Sequence, residues 1–318
     1  MKHACYACGA AQCETVLALG VQPLANAYPD AGSRPEDEPR YPLDLLRCGA
    51  CGHVQVPAVV PSEAIFTDYA YFSSYSTTWL AHARAYVEHI IALLGLGADH
   101  FVVEIAANDG YLLRNFVAHG VPCLGIEPAA NVAQAAIDAG VPTQVGFWTA
   151  AGAGALAEGG QHADLIIGNN VFAHTPEPND FLAGLKTLLK PEGVVTLEFP
   201  HLMRLIDENQ FDTIYHEHFS YWSLGVVEAR FAAHGLRVWR VDELPTHGGS
   251  LRVYGCHTGA AHKEDASVAR VRDAEAARGM AAAPYYHDFA AAAETVRSEV
   301  RRFFADAQEA GEQVVGYG

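Results

Sequence analysis

Residues 100–116 read HFVVEIAANDGYLLRNF, and this stretch decides the fold. A short apolar run ends on the acid Glu104, a turn follows at Asn108, Asp109 and Gly110, and Tyr111 to Phe116 then carries the spacing of a helix. Apolar runs of this length bounded by turn residues are strands, so the segment reads as strand, turn, helix. Residues 122–136, PCLGIEPAANVAQAA, repeat the pattern with Glu127 at the strand's end, and residues 163–200 repeat it again. Strands that alternate with helices imply an α/β chain with a doubly wound, mostly parallel sheet whose ligands lie at the strands' carboxyl ends. Leu236–Glu243 and Ser250–His257 read as later, antiparallel strands of the same sheet. Ahead of it, Trp79 to Leu96 places apolar residues at Leu80, Ala83, Val87, Ile90, Ile91 and Leu94, one amphipathic helix stopped by Gly95 and Gly97.

The turn after Glu104 lacks the G-x-G-x-x-G that lets a pyrophosphate approach the backbone, so NAD is disfavoured. An acidic turn with one glycine suits a ligand without phosphates that carries a sulfonium and an amino-acid tail, namely S-adenosylmethionine. Glu127 stands where a carboxylate accepts hydrogen bonds from both ribose hydroxyls. Glu104, Asn108, Asp109, Gly110 and Glu127, with Asn170 in the turn after the next parallel strand, form the candidate cofactor set. The competing reading is a solvated rim of strand-end carboxylates.

The chain has 318 residues, 50% hydrophobic and 18% charged, enough for two globular domains and a sizeable core. A net charge of −17, from 20 basic and 37 acidic side chains without long runs, argues against nucleic-acid and anionic-membrane partners. No apolar stretch follows the N-terminal MKHACYACGA and no window has the length of a membrane span, so a cytoplasmic location is expected. In that compartment seven cysteines stay reduced, and clustered ones are metal ligands before they are disulfides. Cys5 and Cys8 form one C-x-x-C, Cys48 and Cys51 another, and two such knuckles close a tetrahedral zinc site. Four thiolates leave no open position, so the expected zinc is structural. Between the knuckles, LGVQPLANAYPD and YPLDLLRC are expected as a loop and a strand, with Cys13 left over.

Residues 212–223, DTIYHEHFSYWS, set Tyr215, His216, Glu217 and His218 in succession, neither a helix face nor a turn by pattern. A base, an acid and a second base in a chain with so few charged residues point to a reaction site. An extended segment would send Glu217 and His218 to opposite sides, so a bulge or turn is needed to bring both to one substrate.

The two C-x-x-C units, then FSSYS, VEIAANDGYLL, GIEPAANVA, NNVFAHTPEPNDF, EFPH, YHEHFSYWS and HGGSLRVY, in that order, resemble the zinc-containing sugar C-methyltransferases. The resemblance runs from Cys5 to the last residue. It implies a small zinc domain at 1–70, a Rossmann-like class I methyltransferase domain at 71–258, and at 259–318 a helical linker and the first strand, VVGYG, of a truncated C-terminal α/β domain. It also implies a nucleotide-linked 4-keto-6-deoxy sugar as substrate, deprotonated at C3 and methylated there. His218 is then the base and Glu217 binds a sugar hydroxyl or orients the base. Tyr215 bonds the sugar or its enolate, and His174 lies near the sugar. Tyr71 and Tyr75 cover the site, His247 donates beside Gly248 and Gly249, and His216 faces the sheet. Two other readings stand beside this one: transfer to oxygen or nitrogen, and a non-catalytic zinc-dependent interaction module with a degenerate methyltransferase fold.

Overall fold

The computed structural model describes residues 4–29, 32–61, 65–66 and 71–316. Its N-terminal part contributes strands β1 (Cys13–Pro23), β2 (Arg40–Cys48) and β3 (Val54–Gln55). Helix α1 (Thr77–Leu94) leads into β4 (Val102–Ile105), α2 (Leu113–Ala118), β5 (Cys123–Glu127), α3 (Ala130–Asp138), β6 (Thr143–Val145), α4 (Ala150–Glu158), β7 (Ala163–Asn169), α5 (Pro178–Leu188) and β8 (Leu189–Pro200). Then come α6 (Leu202–Asp207), β9 (Ser220–Tyr221), α7 (Leu224–Ala233), β10 (Leu236–Leu244), β11 (Ser250–His257), α8 (Ala266–Arg278) and α9 (Phe289–Glu309).

The large sheet has the order β10-β11-β8-β7-β4-β5-β6. β5 and β6 step away from β4 on one side and β7 and β8 on the other, all parallel, while β11 and β10 close the edge antiparallel. The reversal of strand order therefore falls at β4, and the crevice outside its carboxyl end is where a ligand binds. Alternation along β4 sends Val103 and Ile105 into one core, with Ile166, Val195 and Leu197, and Val102 into the other, against Ala83, Val87 and Ile90 of α1. The α1 helix starts on Ser76, whose side chain accepts from the Trp79 N–H, and stops at Gly95 in the left-handed conformation (φ 66°), so Leu96 lies beyond it.

The turn after β4 is backbone-strained. Ala106 (φ 55°), Asn108 (φ 51°) and Gly110 (φ 73°) are all left-handed, and only the last is a glycine. Gly110 is required twice over, since a Cβ there would also sit 2.9 Å from Val141 Cγ2.

The second sheet has the order β1-β2-β3-β9, so a two-residue strand from the far side of the sequence completes the N-terminal module. Much of the stretch expected as a loop is strand instead, because β1 continues through Pro23 paired with Arg40 of β2, with bulges between Thr15 and Leu17 and between Ala18 and Val21. Leu202, Met203 and Leu205 of α6, Ile214, and Phe289 and Ala293 of α9 share a core with Leu17, Leu43 and Leu45. Val314 to Gly316 carry no strand pairing, and Tyr317 and Gly318, the end of the expected VVGYG strand, lie outside the described residues. Among the described residues no helix is long and apolar enough to cross a membrane.

Candidate active site

A cleft of about 610 Å³ opens at the carboxyl ends of β4, β5 and β7. Glu127 lines it, buried, and accepts from the Asn108 N–H through Oε2 (2.8 Å) and from the Ala129 N–H through Oε1 (2.9 Å). Each oxygen keeps a lone pair for a further donor, as a diol requires. Burial pushes this carboxyl above the usual range, and the two backbone N–H groups pull against that shift. Phe147 and Trp148, just past β6, also line the cleft, as do Ile126 and Pro128, which adds apolar surface to it.

The other predicted cofactor residues divide. Asn108 and Asn170 line the cleft, whereas Glu104, Asp109 and Gly110 do not. The Asn108 side chain accepts from the Ser73 N–H (2.9 Å) and donates to the Tyr71 carbonyl (3.1 Å), and Asp109 Oδ2 accepts from the Ser74 N–H (3.1 Å). The Asn-Asp turn thus fastens the YFSSYS segment along the cleft. Glu104, 1% exposed, leaves Oε2 without a hydrogen-bond partner, and burial, followed by the charges of Glu127 and Asp109, raises its carboxyl far above the ordinary value. Asn169 at the end of β7 lines the cleft with both side-chain atoms unpaired by hydrogen bonds, two polar positions suited to an amino-acid tail.

From the YHEH segment Tyr215 and His218 line the cleft, set on a turn in which the His218 N–H donates to the Tyr215 carbonyl (3.0 Å). His218 Nδ1 lies 3.0 Å from the Thr213 carbonyl, which can only accept, so the proton of the neutral ring is on Nδ1. Nε2 is then bare and accepts from the Tyr215 hydroxyl at 2.8 Å. Burial, then the neighbouring His174, holds His218 well below the ordinary histidine value. His174 packs edge-on to it with ring centres 4.7 Å apart, is lowered to about 4 chiefly by burial, and leaves Nδ1 without a partner. Tyr71 joins Tyr215, His174 and His218 on the lining, while Tyr75, 80% exposed, stacks on Phe72 outside it.

His216 turns away and donates to the Tyr41 and Pro42 carbonyls of the N-terminal module (3.3 and 3.2 Å). Glu217 is off the lining and accepts from Asn26 Nδ2 (3.0 Å), whose residue is on it. His247, in the left-handed conformation (φ 51°), lines the cleft with its ring edge-on to Trp79 and 2.9 Å from Asn170 Nδ2. Below it Glu198, fully buried, accepts from Arg252, from His82 (3.1 Å) and from the Thr246 hydroxyl (3.0 Å). Burial would raise the Glu198 carboxyl, yet His82 and Arg252 hold it below the ordinary value.

Sequence reasoning missed Asn26, Trp79, Phe147, Trp148 and Asn169. The aromatic pair after the third parallel strand was a usable signal, because it falls on the rim where ligands of such sheets sit. Asn26 had none, since it reaches the site only through folding.

The four predicted metal cysteines converge, all sulfurs within 4.8 Å of one another, with Cys5 to Cys51 at 3.6 Å and Cys8 to Cys48 at 3.7 Å. A tetrahedron with Zn–S bonds of about 2.3 Å has edges of about 3.8 Å, so the cluster fits that ion.

Comparison with known proteins sharpens this picture. The C-methyltransferase NovU of Streptomyces niveus is 35% identical over 318 residues, which span 99% of this chain and 75% of NovU. The chain belongs to the C-methyltransferases. Family models agree along its length: "Putative zinc binding domain" at residues 5–66, "Methyltransferase domain" at 79–241 and "C-methyltransferase C-terminal domain" at 245–318. An uncharacterized methyltransferase of Mycobacterium leprae is 30% identical over 98 residues, 31% of this C-methyltransferase and 36% of that protein. Among solved structures, magnesium protoporphyrin IX methyltransferase from Synechocystis with bound SAH superposes with a TM-score of 0.44 at 15% identity, over 56% of this chain and 84% of that one.

Proposed function

We propose that this S-adenosylmethionine-dependent C-methyltransferase alkylates C3 of a nucleotide-linked 4-keto-6-deoxy sugar, with His218 as the base that forms the enolate. The observation that carries the reading is the unprotonated Nε2 of His218, fixed in its tautomer by the Thr213 carbonyl, in a cleft that Glu127 also lines. Forming a bond to carbon requires a carbanion, and a sugar offers one only beside a carbonyl.

Bound S-adenosylmethionine supplies the methyl group as a sulfonium and leaves as the thioether. Glu127 would hold the ribose diol, Phe147 and Trp148 would give the adenine an apolar contact, and the Asn169 amide would bond the amino-acid tail. The Tyr215 hydroxyl, hydrogen-bonded to Nε2 in the free protein, turns to the C4 oxygen when the sugar binds and frees the Nε2 lone pair. His218 Nε2 then takes the C3 proton, the C–H electron pair becomes the C3–C4 π bond, and the carbonyl π pair moves onto the C4 oxygen, where the Tyr215 hydroxyl donates to it. His174 and Tyr71 meet the ring hydroxyls. Among the described lining residues there is no lysine or arginine, which suits a neutral sugar ring inside the cleft and a diphosphate outside it. The four cysteines would hold a zinc ion with every position taken by a thiolate, which would make it a structural ion.

The test is deuterium wash-in at C3 of such a sugar nucleotide, followed by NMR in heavy water with S-adenosylhomocysteine bound. Exchange in the wild type that is lost in His218→Asn supports both the carbon acid and its base. Equal exchange in the two proteins removes His218 from the role, and methyl transfer to an oxygen or nitrogen of the sugar would replace the reading altogether.

A further inference from the structure

The reaction-site turn is held by the N-terminal module at successive residues. Asn26 Nδ2 donates to Glu217 Oε1 (3.0 Å), His216 is bonded to the carbonyls of Tyr41 and Pro42, and the Val56 N–H donates to the Phe219 carbonyl (3.0 Å). Immediately beyond, Gln55 pairs with Ser220 and Val54 with Tyr221, and His53 Nε2 lies 3.2 Å from the Ser220 hydroxyl. His53 is two residues from Cys51 and its ring lies on Trp222, with centres 4.5 Å apart. Trp222 in turn stacks on Phe172, at 4.2 Å and 4°, two residues before His174. His218 is therefore flanked on both sides by residues fixed from the cysteine module, and Asn26 is itself part of the cleft wall.

Asn26 stands out for a second reason. It is solvent-exposed in the loop after β1, where an amide has no need of a protein partner, yet its backbone is left-handed (φ 57°), a conformation that Asn tolerates better than most residues. Among the described residues its one side-chain hydrogen bond goes to a carboxylate that is 2% exposed.

We propose that Asn26 is a positioning residue for the reaction: it fixes the Glu217 carboxylate, and through it the sugar side of the Tyr215–His218 turn, so that the cysteine module shapes the acceptor subsite as well as stabilising the chain. This rests on reading Glu217 and His218 as reaction-site residues.

The experiment uses the full chain with S-adenosylhomocysteine bound, and compares wild type, Asn26→Gly, Glu217→Gln, the double variant and His218→Asn. Glycine accommodates the left-handed backbone and removes the side chain that carries the amide. Two quantities are read, C3 exchange at saturating sugar nucleotide and calorimetric affinity for that sugar nucleotide, with S-adenosylhomocysteine affinity as the control for folding. Asn26→Gly is expected to lose about tenfold in one or both, the scale of a hydrogen bond to a charged group, with cofactor affinity within about twofold. Because Asn26 acts through Glu217, the double variant is expected to fall no further than Glu217→Gln alone. Wild-type values of both quantities in Asn26→Gly, or losses that multiply in the double variant, overturn the proposal. If His218→Asn has lost exchange while Asn26→Gly is normal, the base assignment stands and the positioning role falls. If His218→Asn exchanges like wild type, the base assignment falls, and the affinity measurement alone decides for or against Asn26.

Discussion

Replacing Glu127 by glutamine changes one atom and tests the cofactor end of the cleft. In the wild type each carboxylate oxygen receives one backbone N–H, from Asn108 at 2.8 Å and from Ala129 at 2.9 Å. The amide's NH₂ must point at one of those donors, so one buried N–H loses its acceptor at a cost of about 1–3 kcal/mol to the unliganded protein. The ribose diol loses a charged acceptor as well, worth about 1.5–3 kcal/mol, which converts to a rise of roughly 10- to 150-fold in the dissociation constant. Calorimetric titration with S-adenosylhomocysteine measures the second effect, and thermal unfolding without ligand measures the first. A melting temperature lowered by a few degrees together with an affinity within twofold of wild type would falsify the ribose assignment. Glu127 would then be a brace for the Asn108 turn and nothing more.

Three further outcomes are expected. Because burial holds His218 well below the ordinary histidine value, its ring stays neutral as pH falls, and the acid limb of C3 exchange lies below pH about 6.5; a limb at or above that value refutes the assignment. Cys48→Ser is expected to lower bound zinc below one per chain, measured by elemental analysis, and to lower the melting temperature while leaving S-adenosylhomocysteine affinity within about threefold. Gly125→Ala would place a Cβ 2.7 Å from the Ala107 Cβ, directly under the strained turn, so a loss of about 1–3 kcal/mol in urea unfolding is expected along with weaker cofactor binding. Unchanged unfolding there would show that the turn yields freely.

The parallel sheet was legible because its signal is local: VVEI, CLGIE and ADLIIGN each end in a polar turn followed by helical spacing, and each became a strand pointing at the cleft. The antiparallel edge strands and the two cysteine knuckles were legible for the same reason. What short-range pattern could not show is which polar groups of a turn face the ligand and which face the protein. Asn108 and Asp109 looked alike in sequence, yet they are hydrogen-bonded to the Tyr71–Ser74 segment, an arrangement set by left-handed backbone at Ala106 that no propensity favours. Likewise the YHEH segment forms a turn, but that turn brings only Tyr215 and His218 to the cleft lining, and the Thr213 carbonyl that fixes the His218 tautomer and the Asn26 amide on Glu217 come from tertiary packing. Residues 191 positions apart in the chain leave no periodicity to read.

The last strand of the small sheet has a consequence for how the chain is made. β9 lies about 170 residues after Cys51, so at ribosomal rates of roughly 5–20 residues per second the cysteine knuckles emerge some 10–30 seconds before Ser220 and Tyr221 arrive to pair with β3. During that interval the thiols and the bare edge of β3 are uncovered together. Early metal capture would shield the sulfurs, but the open edge awaits the same segment that carries His218, which ties the completion of the N-terminal sheet to the synthesis of the cleft's own lining.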